Sequence, residues 1–446
     1  MSAVNTIKNI WKIEDLRSRI LTTLLLVAVY RFGSFVVLPG INPDALNALQ
    51  SQTKSGLLSL LDMFSGGAFS HASIFALGIM PYISASIVIQ LLTIAVPKFQ
   101  KMQREGESGR RKMNQYTRYL TVLILFFQAP SYLINLNVQL KSSGALMPTG
   151  VWFVISSTLI LTAGSMFIMW LGERITDKGI GNGISFIILV GIIARLPRAL
   201  TQEFILRTTE KAGGLVMFLG EIVFLLFVIA AAILLVQGTR KVPVQYAKRI
   251  VGNKQYGGAR QYIPLKINAS GVMPIIFAQA IMFIPVTIVG YSHMQSVGPF
   301  VQSFLTHTGW GYNITFAILI IAFTYFYTAI TIQPTQMAED MKRNNGFIPG
   351  IKPGKKTAEY LDEIMSRITL PGSMFLALIA IMPAFASIFG VSQEFSQFFG
   401  GTSLLILVGV VLDTLQQIES HLLMRHYDGL LKSGRIKGRS GSVAAY

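Results

Sequence analysis

Two glycine-rich segments of the sequence have spacings that resemble phosphate-binding loops. The first, at residues 179–183, reads GIGNG, and the second, at residues 349–356, reads PGIKPGKK. The first joins two long apolar segments rather than a strand and a helix, so the pattern predicts a helix–helix turn. The second has Pro349 where the first glycine of a Walker loop belongs, and Lys356 where Ser or Thr would bind magnesium. Neither segment predicts a nucleotide site.

The other residue types that commonly carry catalysis also fail to form a site. The sequence has no cysteines, and its apolar segments hold no Ser–His–acid set and no paired carboxylates. The five histidines lie in loops or near helix ends without metal-ligand spacing, at positions 71, 293, 307, 421 and 426. We therefore expect no enzyme, no metal site and no cofactor.

Ionisable residues are rare within the apolar segments. Arg31 and Asp413 lie well inside such segments, whereas Glu173 and Glu221 lie near segment ends. These residues are too few to indicate the proton or sodium relay by which a secondary transporter couples ions to a small solute. A secondary transporter nevertheless stays open as an alternative. We expect Arg31 to pair with backbone carbonyls or with another helix.

The composition predicts a membrane protein. The 446 residues are 52% hydrophobic and 13% charged, with a mean hydropathy of +0.54, whereas soluble domains carry about 25% charged residues. Apolar runs of about 20 residues cross a bilayer as helices, because lipid offers no partner to backbone amides. Ten such runs are predicted near residues 20–38, 74–95, 119–138, 151–172, 183–199, 215–236, 268–290, 312–332, 368–389 and 402–423.

The basic residues sort to one side of these spans. Of the 38 Lys and Arg residues, 31 fall in the two terminal tails and the loops that share their side. The positive-inside rule therefore predicts that both termini are cytoplasmic. The first residues lack the apolar core and cleavage site of a signal peptide, so the first span should serve as the targeting signal.

Residues 56–96 do not fit a single span. The stretch is apolar but is interrupted at Ser65-Gly66-Gly67 and at Ser70-His71, and it is too long for one crossing. We expect it to re-enter the membrane as a short helix, with an amphipathic helix on the outer interface as the alternative.

The number of spans also bears on internal symmetry. Ten spans divide into two halves of five. If the halves are structurally related, they must have opposite orientations in the membrane, because five is an odd number.

Several motifs resemble those of the SecY family, the channel subunits of the bacterial preprotein translocase. They run in order along nearly the whole chain, from RFGSF at 31–35. The others are FSGGAFSHASIFALGIMPYISASIVIQLL at 64–92, EGESGRRK at 105–112, MWLGERITDKGIGNGIS at 169–185, YAKR at 246–249, IPLKINASGVMP at 263–274 and FGGTSLLI at 399–406.

The resemblance implies an all-α integral membrane fold of ten helices in two inverted five-helix halves around a central pore. The N-terminal half would be residues 1–200 with helices 1–5, and the C-terminal half residues 201–446 with helices 6–10. A plug helix would lie at about residues 61–73. Its residues would include Leu61, Phe64, Ser65, Gly66, Gly67 and Phe69. The two glycines would weaken that helix by about 1 kcal/mol each relative to Ala.

The resemblance also implies a pore constriction and a lateral gate. The constriction would be a ring of isoleucines, which is poorly wetted and offers a passing peptide no hydrogen bonds. By motif position the ring is Ile83, Ile87, Ile184, Ile188, Ile276 and Ile406. The gate, where signal sequences pass into lipid, would lie between helices 2 and 3 and helices 7 and 8. Its polar cluster would be Thr93, Gln128 and Asn268, joined by mutual hydrogen bonds.

Two cytoplasmic loops, 238–267 and 333–367, would dock the SecA motor or the ribosome. The first has seven basic and no acidic residues, which suits ribosomal RNA phosphates or an acidic motor surface. The docking residues would be Arg240, Lys241, Lys248, Arg249, Lys254, Arg260, Lys352, Lys355 and Lys356. The family usually has Arg where this chain has Lys352, and Lys lacks the bidentate fork of Arg.

The function implied by the resemblance is a passive protein-conducting channel in the bacterial cytoplasmic membrane. It would move unfolded secretory proteins across, and release membrane proteins into lipid, with energy from SecA, the ribosome or the proton-motive force. The implied partners are SecE, SecG, SecA, ribosomal RNA and ribosomal proteins near the exit tunnel, signal sequences, unfolded preproteins, the accessory proteins SecD, SecF and YidC, and membrane lipids. A secondary transporter is the second interpretation, and a membrane-embedded enzyme is the third.

Overall fold

The structure is a computed structural model. It describes residues 11, 13–42, 62, 65–142, 150–209, 214–246, 249–251, 254–256, 260–279, 281–282, 303 and 309–432. The predicted plug residues Leu61 and Phe64 and the docking residue Lys248 lie outside the described residues. Most of the seventh predicted span, beyond residue 282, lies outside them as well.

Helices dominate the described part of the chain. They are α1 (Glu14–Gly33), α2 (Met80–Ala95), α3 (Pro97–Arg104), α4 (Glu107–Ser142), α5 (Val151–Lys178), α6 (Gly183–Thr209), α7 (Gly214–Gln237), α8 (Trp310–Thr331), α9 (Pro334–Arg343), α10 (Lys355–Ile388), α11 (Gln393–Ser396) and α12 (Gly401–Lys432). Residues 273–279 and 281–282 are also helical, and Gln397–Phe399 form a 3₁₀ turn.

Among the described residues, seven helices are long and apolar enough to cross a membrane, or eight if the bent pair of α2 and α3 counts as one span. This confirms the expectation of an all-α membrane protein. Helix α1 occupies the first predicted span, but Glu14, Asp15, Arg17, Arg19 and Arg31 keep it below that hydropathy criterion. Several helices extend beyond the predicted apolar runs, because their polar ends continue the same backbone hydrogen bonding.

One compact unit comprises residues 1–52, 61–194 and 410–446. In it, α1 packs on α5, and α4 packs on both α2 and α5. Close approach depends on small residues: a Cβ at Gly164 would lie 2.1 Å from the carbonyl oxygen of Ile74, and one at Gly33 would lie 2.1 Å from the Phe75 ring. Residues 65–79 are thereby inserted among the helices, and most of them are buried.

The plug helix predicted at about residues 61–73 is wrong for the described residues 65–72, which form turns that continue to residue 79 apart from a bridge at Ser73, whereas Asp62 is helical. Gly66, Gly67 and Gly78 have φ values of 65°, 92° and 58°, and Ala72 has a φ of 45°. A right-handed helix cannot continue through left-handed residues, so the segment folds back on itself. Apolar composition alone does not distinguish this compact turn from a short helix.

The second unit comprises residues 53–60 and 195–409. It contains a small sheet that the sequence did not predict, built on an antiparallel hairpin of β1 (Thr239–Tyr246) and β4 (Arg260–Lys266), with β5 (Gly346–Phe347) on the other edge of β1. The strands β2 (Arg249–Val251) and β3 (Lys254–Tyr256) pair with each other. The predicted division at residue 200 concerns related membrane-helix halves, and it stays a prediction.

The sheet is fixed to the helices by an apolar core. Val242 and Val244 of β1 alternate with more accessible residues, and they are buried with Leu265 of β4. This face packs on side chains from α9, α10 and the segment between them, namely Met341, Ile348, Leu361, Ile364, Met365 and Ile368. The period-2 pattern of a half-buried strand places Lys241 on the face opposite Val242 and Val244, whereas Arg240 is exposed at the start of the strand, before the buried positions begin.

Candidate functional site

Side chains on α1 and α4 donate hydrogen bonds to the backbone of the turn segment, residues 65–79. The Tyr30 hydroxyl donates to the Ser65 carbonyl at 3.1 Å, and the Arg31 guanidinium donates to the Gly66 carbonyl at 2.9 Å. The Tyr132 hydroxyl donates to the Phe69 carbonyl at 2.9 Å, while its ring packs edge-on against the Phe69 ring. The Arg31 bond confirms the expectation that this cation pairs with backbone carbonyls.

Polar groups of the turn segment also bond to one another and to Asp62, which precedes the segment. Asp62 accepts a 2.8 Å hydrogen bond from the Ser70 amide. The Ser65 hydroxyl donates to the Asp62 carbonyl and accepts from the Phe69 amide, and the Ser70 hydroxyl donates to the Gly67 carbonyl. All three side chains are buried. Buried polar groups need such partners, so these bonds hold the turn together without any contribution from the surrounding helices.

The C-terminal side of the turn is joined to the chain after α1 by backbone bonds. Val37 and Ser73 form an isolated antiparallel bridge. The Leu38 amide donates to the Ala72 carbonyl at 2.9 Å, and the Ile74 amide donates to the Val36 carbonyl at 3.0 Å. The Phe75 ring then fills the space beside Gly33. Residues 72–75 are therefore anchored through the main chain and through ring packing.

The GIGNG segment is a helix–helix turn between α5 and α6, as predicted. Its amides are hydrogen bonded to side chains of three helices: Ile180 to Thr23, Gly181 to Gln417 and Gly183 to Thr176. The Asn182 side chain accepts from the first amides of α6, which is the usual role of an N-cap residue. The turn thus positions the start of α6, where Ile184 and Ile188 lie.

The six predicted ring isoleucines are divided between the two units. Ile83 and Ile87 lie half-buried on α2, and Ile184 and Ile188 lie on α6, the first half-buried and the second buried. Each pair is spaced i, i+4 on one helix, so its members share a face. In the second unit, Ile276 is half-buried in the helical residues 273–279, and Ile406 on α12 is buried. The ring itself stays a prediction.

The predicted gate residues form local hydrogen bonds. The Thr93 hydroxyl donates to the Gln90 carbonyl of its own helix at 2.6 Å. The Asn268 side chain donates to the Gly271 carbonyl and accepts from the Ser270 hydroxyl. Gln128 is half-buried on α4, which packs on α2, the helix of Thr93. Mutual bonding among the three predicted gate residues stays a prediction.

The predicted docking residues that the structure describes lie on the strands β1 to β4, in the turn before α10 and in the first turn of α10. Arg240 and Lys241 are exposed on β1, opposite Leu265 and Pro264 of β4. Three more basic residues take backbone positions in β2, β3 and β4: Arg249, Lys254 and Arg260. At the start of α10 the exposed basic residues are Lys352, Lys355 and Lys356.

A family model described as SecY matches residues 73–415. The chain belongs to the SecY family. Its relatives include the protein translocase subunit SecY of Halalkalibacterium halodurans, 44% identical over 96% of this chain and 99% of the relative. The protein translocase subunit SecY of Streptomyces scabiei is 42% identical over 95% of this chain and 98% of the relative. The sequence-based assignment to this family is confirmed.

Solved structures share the fold. One is described as a protein-conducting channel, with a TM-score of 0.61 and 16% identity over 96% of this chain and 95% of that chain. Another is a SecY protein whose plug domain stabilises the closed state of the translocation channel, with a TM-score of 0.59 and 15% identity over 96% and 95%. A third is Sec61 in a canine ribosome–channel complex, with a TM-score of 0.57 and 15% identity over 96% and 95%.

Family and fold together identify the chain as a protein-conducting translocation channel. SecY proteins are channel subunits rather than enzymes, so the interpretation as a membrane-embedded enzyme is excluded. The transporter interpretation is replaced by the channel for the same reason. The family motifs did not indicate which side chains of this chain hold the turn segment in place.

Sequence reasoning missed the residues that hold the turn segment and a buried ion cluster. Tyr30 and Tyr132 look like ordinary membrane-helix aromatics, and their acceptors lie 35 and 63 residues away. In the second unit, Arg207 bonds to Glu203, to Glu221 and to the Gly390 carbonyl. The i, i+4 spacing of Glu203 and Arg207 on α6 was a signal that could have indicated part of this cluster.

Proposed function

We propose that this chain forms the pathway by which unfolded secretory proteins cross the bacterial cytoplasmic membrane, and from which membrane proteins pass laterally into lipid. Both termini are cytoplasmic in this proposal. Its support is the one-sided distribution of 31 of the 38 basic residues and the bacterial translocase subunits among its relatives. The energy comes from partners, namely SecA hydrolysing ATP and the ribosome elongating a chain, and from the proton-motive force.

In this proposal residues 62–72 are the plug, and the six isoleucines are the constriction that the plug covers. The observation that carries the proposal is the burial of residues 65–70, 72 and 73 beside α1 and α4, where side-chain donors hold an otherwise self-contained turn. A compact turn held by a few removable bonds suits a closure that must open and return.

The lateral gate is proposed to lie along Thr93, Gln128 and Asn268. Buried hydroxyl and amide groups in apolar surroundings need partners, and at Thr93 and Asn268 those partners are nearby backbone and side-chain groups. Interhelical hydrogen bonds in membranes contribute about 0.6–2 kcal/mol each. Exchange of such weak bonds would allow an apolar signal helix to part the seam.

The exposed basic residues of the sheet and of the turn before α10 are proposed to dock SecA or the ribosome. Their support is the exposure of Arg240 and Lys241 on a strand that is anchored to the core through Val242 and Val244. Sec61, which shares the fold, is found in a complex with the ribosome. SecE, SecG, SecD, SecF, YidC and membrane lipids complete the proposed partners.

Reconstitution tests the proposed function. Liposomes containing this chain with its SecE and SecG partners should import a secretory precursor when purified SecA and ATP are added. The same liposomes with a slowly hydrolysed ATP analogue should import none. Absence of import with active SecA, together with exchange of a small solute, would overturn the proposal in favour of a transporter.

A further inference from the structure

Two parts of the turn segment are held in different ways. Residues 65–71 are held by the side chains of Tyr30, Arg31 and Tyr132, which reach carbonyl oxygens of the turn. Residues 72–74 are held by main-chain bonds to residues 36–38. Side-chain donors can rotate away without disturbing a helix, whereas the backbone bridge cannot be broken without moving the chain on both sides.

We propose that Tyr30, Arg31 and Tyr132 form a latch that sets how often the plug opens, and that Asp62 and residues 65–71 leave as one body about a pivot at residues 72–74. The inference rests on the plug assignment proposed above. It adds the residues that hold the plug and the point about which the plug moves.

The latch acts on the main chain of the plug. Its acceptors are carbonyl oxygens of Ser65, Gly66 and Phe69, so its strength does not depend on the side chains of those residues. Released carbonyls and hydroxyls can bond to water, so each bond contributes a modest net amount. Loss of one such bond should change the ratio of open to closed plug about fivefold for a neutral donor, and about tenfold or more for a charged donor.

The plug can move as one body because its own polar groups are already paired within it. Asp62, Ser65 and Ser70 bond to backbone groups of residues 62–70. These bonds travel with the turn, so opening the latch exposes few new unpaired groups. A segment without such internal bonds would unfold when released and would return slowly to its seat.

The pivot has the features of a fixed point. Ser73 is fully buried, and the bonds on either side of it join Ala72 to Leu38 and Ile74 to Val36. Ala72 keeps a φ of 45°, which a non-glycine residue adopts only where its surroundings enforce it. The Phe75 ring beside Gly33 blocks translation of the chain beyond the pivot.

Cysteine labelling tests both parts of the inference, because the native chain contains no cysteine. Ser70→Cys reports on the plug and Ser73→Cys reports on the pivot. Each is combined with Tyr30→Phe, Tyr132→Phe or Arg31→Gln, in proteoliposomes of the channel complex with a maleimide on both sides of the membrane. Tyr119→Phe is the matched control, because Tyr119 is an exposed tyrosine on the same helix as Tyr132.

The labelling rate at position 70 should rise about fivefold for either Tyr→Phe change and about tenfold or more for Arg31→Gln. Position 73 should stay protected in every background, and Tyr119→Phe should behave as the wild type. Unchanged labelling at position 70 would overturn the latch. Parallel acceleration at positions 70 and 73 would overturn the pivot, because the whole segment would then be unfolding.

Deletion of residues 62–72 separates this inference from the plug assignment. The deleted channel should leak ions in single-channel recordings. If the deletion leaks while the latch variants label as the wild type does, the latch alone is wrong. If the channel that lacks residues 62–72 conducts no ions at rest, the plug assignment is wrong, and the latch inference that rests on it is wrong as well. Gel filtration and circular dichroism of each variant establish that a changed labelling rate does not arise from misfolding.

Discussion

The guanidinium of Arg207 lies 3.0 Å from the carboxylate of Glu203, one helical turn away, and both side chains are buried. The same guanidinium bonds to Glu221 of α7 and to the Gly390 carbonyl, while Glu203 accepts from the Ser392 amide. The cluster therefore joins α6, α7 and the segment after α10. Buried charges of this kind are stable only while every partner is present.

Replacing Arg207 with Met should lower the free energy of unfolding by about 3–5 kcal/mol, since two buried carboxylates would lose their shared cation. Thermal unfolding of the complex in detergent measures the loss. The control is Arg367→Met, which removes an exposed pair with Glu363 and should cost less than about 1 kcal/mol. Equal losses at the two positions would contradict a special role for the buried cluster.

Substituting Gly183 should damage the turn between α5 and α6. A Cβ there would lie 2.0 Å from the Gly172 carbonyl oxygen and 2.7 Å from the Ile175 side chain, so Gly183→Ala should destabilise the protein by about 1–3 kcal/mol through overpacking. A Cβ at Gly220 on α7 meets no atom within 4 Å. Gly220→Ala should therefore be neutral or stabilising by up to about 1 kcal/mol. The same detergent unfolding assay compares the two, and the opposite order would refute this interpretation.

A polar side chain at the proposed constriction should wet it. Exchanging an apolar group for an amide alters hydration by about 1–3 kcal/mol, so Ile276→Asn should make ion-conducting openings roughly tenfold more frequent. It should also admit precursors with weak signal sequences. Ile276→Leu keeps the surface apolar and serves as the control. Identical conductance and signal stringency in the Asn and Leu variants would remove Ile276 from the constriction.

Charge reversal on β1 should weaken docking without unfolding the sheet, because Arg240 and Lys241 are exposed, whereas Val242 and Val244 form the core of the sheet. The double change Arg240→Glu and Lys241→Glu should reduce SecA or ribosome affinity by about tenfold or more near 0.15 M salt, and by less at high salt.

Binding titrations at several salt concentrations provide the measurement for the charge reversal. Lys141→Glu reverses an exposed charge at the far end of α4, on the side proposed to be opposite the docking loops, and should leave affinity unchanged. A uniform loss in both variants would mean that net charge, rather than this surface, governs association.

Hydropathy predicted the membrane helices because their lipid-facing composition is a local property of the chain. The pair of strands β1 and β4 was not predicted, although polar and apolar residues alternate over residues 241–246 and Val242 and Val244 are buried. The many basic residues of this loop indicated a docking surface, and the strand pattern was not considered beside it. The plug helix was wrong at residues 65–72 because Gly66, Gly67 and Ala72 adopt left-handed conformations, and apolar composition gives no signal for such conformations. The tyrosine donors could not be predicted, since their carbonyl acceptors carry no sequence signature.

The Gly181 amide, in the turn after α5, finds its acceptor in Gln417 of the last helix, 236 residues later. Residues 410–446 belong to the first compact unit, although all of the second unit except residues 53–60 is encoded between residue 194 and residue 410. During synthesis the first unit must therefore wait, with this turn incompletely bonded, until nearly the entire polypeptide has left the ribosome. This protein-conducting channel thus completes its own first unit only when its last described helix arrives.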